Sequence, residues 1–269
     1  MVETMILKIS VLVPTIGARK VELIRLFESI IEQNYAQLEV VLVVQDNFES
    51  MRELCDSYSE KLDIVYVPTD KKGLSRARNI GLQHLTGDIV LLSDDDCWYE
   101  NNGINSILKF FNENDNVDVL LTQIYDPVSD VPYKHYPENS EQLTKPIELL
   151  SKSSIEIAFR RREPILDFDE LFGLGGMYVA GEENDFLIRS LKKGKIIQYE
   201  PIVTVYHEKK QQTESNKQLI AKGAFYSKNF GFLISNLVLL RDLLIKHQNN
   251  YRWFWNGYFD YKKQNKGIH

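Results

Sequence analysis

The sequence predicts an α/β protein: a doubly wound, mainly parallel sheet with helices on both faces, followed by a C-terminal helical segment. Two observations predict it. Short apolar runs alternate with amphipathic stretches four times between Ile9 and Leu92, the pattern of strands joined through crossover helices. Three of the runs end in breaker, polar or acidic residues, as suits the carboxyl edge of a parallel sheet. Ligands of such sheets sit beyond the carboxyl ends of the strands. Pro14-Thr15, Gln45-Asp46 and Asp94-Asp95-Asp96 are therefore expected to converge on one crevice.

The elements follow in order. Ile9 to Val13 is a β-rich run stopped by Pro14-Thr15. Leu23, Ile24, Phe27, Ile30 and Ile31 recur at helical spacing and predict a helix over Val21 to Ile31. Val40 to Val44 contains only Val and Leu, as in a strand buried on both faces. Met51 to Tyr58 reads as a helix and Ile64 to Val67 as a strand. Ser75 is the expected N-cap of a helix with an apolar face of Ile80, Leu82 and Leu85. Gly87-Asp88 turns the chain into the strand Ile89 to Leu92. A helix over Ile104 to Phe111 and strands over Val117 to Thr122 and Ile155 to Phe159 come next. Between those strands, Tyr125 to Pro146 is rich in Pro, Asp and Tyr and is expected to be a loop-rich insertion. Lys195 to Tyr199 and Ile202 to Tyr206 are expected to be two strands around Pro201.

Beyond Lys210 the alternation stops. Gln218 to Phe230 and Phe232 to His247 are helical in pattern, the second apolar nearly all round. An aromatic stretch with Arg252, Lys262 and Lys263 follows. This tail is expected to pack on the core, to join a homodimer, or to lie on a membrane interface as a basic-aromatic segment. The expected division is a catalytic unit over 1–210, with halves 1–97 and 98–210, and a helical extension over 211–269.

Composition narrows the function. The chain has 269 residues and a net charge of -6, which argues against nucleic acid as a partner. Cys55 and Cys97 are its only cysteines, so there is no disulfide framework or four-thiolate zinc site. The first residues lack the basic start and long apolar run of a signal peptide, and with no apolar stretch of about 20 residues a spanning helix is not expected. A cytoplasmic protein is expected, or one peripheral at the inner face of the membrane. Neither a GxGxxG nor a GxxxxGK[ST] motif occurs.

Chemistry concentrates at Asp94-Asp95-Asp96. Adjacent anions about 4 Å apart in a partly shielded site repel by on the order of a few kcal/mol. A hard divalent cation, Mn²⁺ or Mg²⁺, would neutralise them; an acidic turn capping the next helix is the alternative. Arg76 and Arg78 lie in the first turn of a helix, where the dipole disfavours cations. A phosphate there would account for them, as would plain solvation. Arg160-Arg161-Arg162 reads as an exposed charged turn or as a contact for an anion. The glycines of Phe172-Gly173-Leu174-Gly175-Gly176 permit close backbone approach. Glu182 and Glu183 open a helix, where acids suit the dipole, and Asp185 and Arg189 are spaced as an i,i+4 pair.

Together Val11-Leu12-Val13-Pro14-Thr15, Gly73-Leu74-Ser75-Arg76-Ala77-Arg78-Asn79-Ile80-Gly81 and Asp94-Asp95-Asp96 resemble glycosyltransferase family 2, of GT-A fold. The resemblance covers about residues 8–208. It implies that Pro14, Thr15 and Asp46 contact the nucleoside and that Arg78, Asn79, Asp94 and Asp95 lie at the nucleotide and its phosphates. The family's Asp-Asp-Gly-Ser turn is Gln45-Asp46-Asn47-Phe48 here, which leaves Asp46 as the base contact. The Asp-x-Asp element implies Asp94 and Asp96 as metal ligands, with His207 as a third. The Glu182-Glu183-Asn184-Asp185 stretch is similar to the family's Glu-Asp-x-Asp element. Its second acid, the general base, maps to Glu183, with Glu182 as the neighbouring candidate.

The implied activity is metal-assisted, inverting transfer of a sugar from a nucleotide-diphosphate sugar, with UDP-linked donors expected first. The acceptor is a hydroxyl of a saccharide or lipid-linked saccharide. Two rivals remain at this stage: a nucleotidyltransferase on a related sheet, and a binding module without turnover.

Overall fold

The computed structural model describes residues 6–163, 165–209, 215–245 and 251–264, and the side chains of 242–245 fall outside that description. The first half is built from β1 (Ile9–Thr15), α1 (Lys20–Ile31), β2 (Leu38–Val44), α2 (Phe48–Tyr58), β3 (Asp63–Pro68), α3 (Leu74–Leu82) and β4 (Ile89–Leu92). Its strands run parallel in the order β3-β2-β1-β4. Alternate residues of a strand face opposite sides of a sheet. Val11 and Val13 accordingly join one core with Leu23 and Phe27 of α1, and Leu12 joins the other with Ala77 of α3.

The second half adds β5 (Trp98–Tyr99), α4 (Gly103–Glu113), β6 (Val119–Asp126), β7 (Val131–Pro132), β8 (Glu141–Leu143), β9 (Ile157–Arg160), α5 (Glu182–Lys192) and β10 (Ile197–Tyr206). The sheet continues as β4-β9-β6-β10-β5, with β7 on β6 and β8 on β10. Strand β9 is antiparallel to both neighbours, whereas β10 returns parallel to β6.

Several sequence expectations are corrected here. Ser75 is not the N-cap of α3. Gly73, at φ 132°, provides the entry, and the Ser75 hydroxyl donates instead to the Phe172 carbonyl at 2.6 Å. Leu85 lies past the end of α3 but is buried all the same. The insertion from Tyr125 to Pro146 is not all loop, because β6 extends to Asp126 and β7 and β8 pair with the sheet. Pro201 does not divide two strands; β10 runs through it, with its pairing to β6 interrupted between Tyr199 and Val203. A ladder irregularity is where a residue without an N–H is tolerated. The arginine triplet is tied down by neighbouring carbonyls and a carboxylate. Arg160 donates to the Val117 carbonyl at 3.2 Å, Arg161 to the Gly87 carbonyl at 2.7 Å, and Arg162 pairs with Asp118 at 3.0 Å.

The C-terminal helices are α6 (Asn216–Asn229), α7 (Gly231–Ile245) and α8 (Tyr251–Gln264). The expected end of the middle helix at His247 and the expected boundary at 210/211 lie outside the described residues. Phe225, Tyr226, Phe254 and Tyr258 share a buried cluster with Phe172 and Tyr178 of the preceding unit. The Tyr178 hydroxyl donates to Asp260 at 3.1 Å. The outer side of α7 differs: Leu233, Leu237 and Leu240 are exposed. No described helix is long and apolar enough to cross a membrane.

Helices α6 and α8 meet backbone to backbone. A Cβ on Gly223 would stand 1.8 Å from the Phe254 carbonyl oxygen, and one on Gly257 1.9 Å from that of Ile220. Gly223→Val is expected to unseat α8 and to cost about 3 kcal/mol. The check is a lowered melting temperature together with new proteolytic cleavage in 251–264.

A buried carboxylate ties the first two strands to the turn before β4. Glu39 accepts from the Ser10 hydroxyl, from the Thr86 amide at 2.7 Å and from Lys8 Nζ at 2.8 Å. Burial alone would raise its pKa, but Lys8, Ser10 and Thr86 together hold it down at about 2. A group depressed on folding contributes stability above its unfolded pKa and loses it as the pH falls. On the order of 3 kcal/mol should therefore disappear between about pH 4.5 and 2. Urea denaturation across that range is expected to show a flattened acid limb in Glu39→Gln.

Candidate active site

The three strand ends do converge. A cavity of about 400 Å³ is lined by Pro14 and Thr15 after β1, Gln45 after β2, and Asp94, Asp95 and Asp96 after β4. Arg19, Lys72 and Gly175 are also on its walls. The Thr15 hydroxyl donates to Asp95 Oδ2 at 2.6 Å. Arg19 Nη1 stands 3.1 Å from Asp95 Oδ1 and 2.8 Å from Asp96 Oδ2. Desolvation raises the Asp95 pKa, with Thr15 and Arg19 opposing it.

One wall is a chain crossing. Gly175, at φ 82°, passes so close to Gly73 that a Cβ on it would meet the Gly73 Cα at 2.9 Å. The Leu74 amide donates to the Leu174 carbonyl at 2.8 Å. Gln45 Oε1 accepts from the Gly73 amide at 2.8 Å, which holds that turn in place.

Asp96 lies between two cationic or basic groups, with His207 Nε2 3.2 Å from its Oδ1. Burial lowers the His207 pKa, but the hydrogen bond and charge of Asp96 raise it net. Arg25 braces this pair from behind. It stacks 3.5 Å over the Trp98 ring, donates to the Asp96 carbonyl at 3.3 Å and pairs with Glu208, next to His207, at 3.0 Å.

Among the described residues no group of three or more His, Cys, Asp or Glu side chains is arranged as a cage for a metal ion. The donor set present, the Asp96 carboxylate and the His207 imidazole, still fits a divalent cation. Mg²⁺-type ions use one or two protein ligands and take the rest from water and substrate phosphates. Asp94 is committed elsewhere, 3.0 Å from Arg78 Nη2.

Arg78 is fully buried and does not line the cavity. Its Nη1 stands 3.4 Å from Glu182 Oε1 at the start of α5. One guanidinium thus joins the acidic turn to the late acidic helix start. Desolvation raises the Asp94 pKa, Arg78 opposes it, and Asp96 and Glu182 add to it.

Glu183 faces a different space, a second cavity of about 600 Å³ lined also by Leu150, Asn184, Lys222, Phe225 and Arg241. Desolvation and the adjacent Glu182 charge push its pKa well above the ordinary carboxylate range. Like Arg78, the expected nucleotide contacts Asn79 and Asp46 do not line the donor cavity. Asn79 is not at the cavity, because both ends of its amide clamp the Phe168 backbone, at 2.9 and 2.7 Å. Asp46 sits at the rim in an exposed pair with Lys72 at 2.6 Å. Arg19, Lys72, Arg25, Lys222 and Arg241 were not singled out from the sequence. Arg19 and Lys72 carry a signal there, each as a cation just past a strand's carboxyl end.

Residues 10–174 match the model of glycosyl transferase family 2. The chain belongs to glycosyltransferase family 2. Glycosyltransferase GlyA of Streptococcus pneumoniae is 35% identical over 104 residues, which span 38% of this chain and 15% of that relative. That match spans only a small part of the longer relative's own length. Staphylococcus aureus TarS 1-349, in complex with UDP-GlcNAc, superposes with a TM-score of 0.64 at 18% identity, covering 97% of this chain and 73% of that one. Mannosyltransferase PcManGT of Pyrobaculum calidifontis, in complex with GDP-Man and Mn²⁺, superposes with a TM-score of 0.61 at 16% identity, covering 98% and 76%. The family 2 chain therefore has the GT-A fold that its motif resemblance implies, on the doubly wound sheet that its alternation predicts.

Proposed function

We propose that this protein is an inverting glycosyltransferase. It moves a sugar from a nucleotide-diphosphate sugar, UDP-linked, to a hydroxyl of a saccharide or lipid-linked saccharide. The observation that carries this reading is the buried Arg78, which links Asp94 on one cavity to Glu182, the neighbour of Glu183 on the other. Donor and acceptor sites joined in this way leave the transferred sugar between them.

Pro14, Thr15 and Gln45 form the nucleoside end of the donor cavity, and Arg19 and Lys72 supply cations for the diphosphate. Asp96 and His207 would hold the divalent ion, with Asp94 on the same turn. When bound, that ion offsets the charge that develops on the leaving diphosphate. Arg25 fixes the Asp96 backbone relative to the end of β10. Glu183 takes the proton from the acceptor hydroxyl as the oxygen attacks the anomeric carbon opposite the leaving group. Direct displacement without an enzyme nucleophile inverts the anomeric centre. The complexes of the fold relatives with UDP-GlcNAc and with GDP-Man and Mn²⁺ support a nucleotide-sugar donor and a divalent ion.

Asp96→Ala is the test. With Mn²⁺ present, calorimetry is expected to show UDP-sugar affinity lowered by at least about tenfold, with the circular dichroism spectrum unchanged. Undiminished binding would reject the metal role. Release of pyrophosphate during turnover would replace sugar transfer with nucleotidyl transfer.

A further inference from the structure

Exposed apolar side chains concentrate on the C-terminal helices. Of the sixteen large hydrophobic side chains exposed among the described residues, seven lie between Phe232 and Phe259. Leu233, Leu237 and Leu240 are 79%, 66% and 53% exposed and follow the i, i+4, i+7 spacing of one stripe on α7. A contiguous apolar stripe in contact with water marks an interaction surface.

Helix α8 extends this stripe into an aromatic and basic face. Phe232, at the start of α7, lies 5.4 Å from the Trp255 ring, which stacks on Phe259 at 5.5 Å. Arg252, Trp255, Phe259 and Lys263 recur at i, i+3, i+7 and i+11 and so share one side of α8. Arg252, Phe259 and Lys263 are exposed, whereas Phe254, Gly257 and Tyr258 pack inward.

Two occupants suit a stripe of this kind, a second copy of the chain and a lipid bilayer, and charge separates them. A two-fold contact presents the same face to itself. The cations stand at both ends of α8, so either direction of pairing sets cation against cation. Asp260 is the one acid of α8, and it is engaged by the Tyr178 hydroxyl at 3.1 Å. An anionic bilayer matches both parts of the face, with acyl chains behind a layer of phosphates. Aromatic rings such as Trp255 suit the boundary between the two. We propose that the outer faces of α7 and α8 dock this protein on an anionic lipid bilayer, with Leu233, Leu237 and Leu240 at the acyl boundary and Arg252 and Lys263 on headgroup phosphates. Arg241, next to Leu240, lines the cavity that holds Glu183. Docking therefore brings that cavity to the bilayer, within reach of a lipid-linked acceptor.

The test is co-sedimentation of the full chain with vesicles of phosphatidylcholine alone and of phosphatidylcholine mixed with phosphatidylglycerol. Binding to the mixed vesicles is expected to be at least about tenfold tighter, a preference lost at high salt. Leu233→Ser together with Leu237→Ser should weaken binding to the mixed vesicles at least about tenfold. Arg252→Gln together with Lys263→Gln should remove the preference for them. Val128→Ser, which alters an exposed side chain between β6 and β7, should change neither. All of these side chains are exposed, and unchanged circular dichroism spectra confirm that folded proteins are compared. Absence of binding, equal binding of the two vesicle types, or binding that neither double substitution weakens overturns the inference. So does a dimer in sedimentation equilibrium that the two leucine substitutions dissolve while the vesicles stay unbound, which gives the face to a second copy. None of these measurements needs turnover. Failure of the sugar-transfer reading would appear separately, as an active Glu183→Gln enzyme.

Discussion

Glu183→Gln is expected to lower turnover by roughly 10²- to 10⁴-fold, the range that general-base catalysis contributes. Donor affinity should stay within about twofold of the original protein, because Glu183 lines the second cavity and not the donor cavity. The substitution is nearly isosteric and keeps the packing at the start of α5. What it removes is the ability to accept a proton. The same carboxyl sets the expected pH profile. Its pKa lies well above the ordinary range through desolvation and the Glu182 charge. A base must be ionised to act, so activity should fall with acidification at a pH higher than an ordinary glutamate would give. Glu182→Gln removes the nearby charge and should shift that acid limb downward while leaving turnover measurable. A dead Glu182→Gln enzyme beside an active Glu183→Gln enzyme would move the base by one residue.

Arg78→Met should be the most destabilising of the substitutions considered. The guanidinium is fully buried, 3.0 Å from Asp94 and 3.4 Å from Glu182. Removing one partner of a buried ionic group leaves uncompensated charge and typically costs about 3–5 kcal/mol. Two carboxylates would be left facing each other without their shared cation. The deficit should shrink as the pH falls, because protonating Asp94, whose pKa burial raises, removes unpaired charge. Denaturant titrations of both proteins from neutral to acidic pH check this. A deficit that stays constant on acidification would mean that Arg78 acts through its contact with the Phe168 ring, 5.4 Å away, rather than through charge.

Much of the donor half is legible in the sequence. Runs such as Val40 to Val44 are apolar without break because both faces of that strand are covered, and local composition suffices to show it. The polar and acidic strand ends are equally visible, and the rule for parallel sheets brings Thr15, Gln45 and Asp95 to one cavity. The second half is less legible because its pairings are long-range. Strand β9 inserts antiparallel between β4 and β6, and nothing local to Ile157–Arg160 specifies that. The family resemblance implies Asn79 as a neighbour of the phosphates. Its amide is instead used by Phe168, 89 residues further along the chain.

By itself the sequence determined the alternating architecture, the acid clusters and the order in which they occur, because periodicity and strand-end chemistry are properties of neighbouring residues. Only the tertiary structure decided which cations meet which acids: Arg19 with Asp95 and Asp96, Arg78 with Asp94 and Glu182, and Lys222 and Arg241 on the Glu183 cavity. The physical reason is reach. A charge interacts strongly over a few ångströms, and residues far apart in the chain come within that range only once both cores have closed around the sheet.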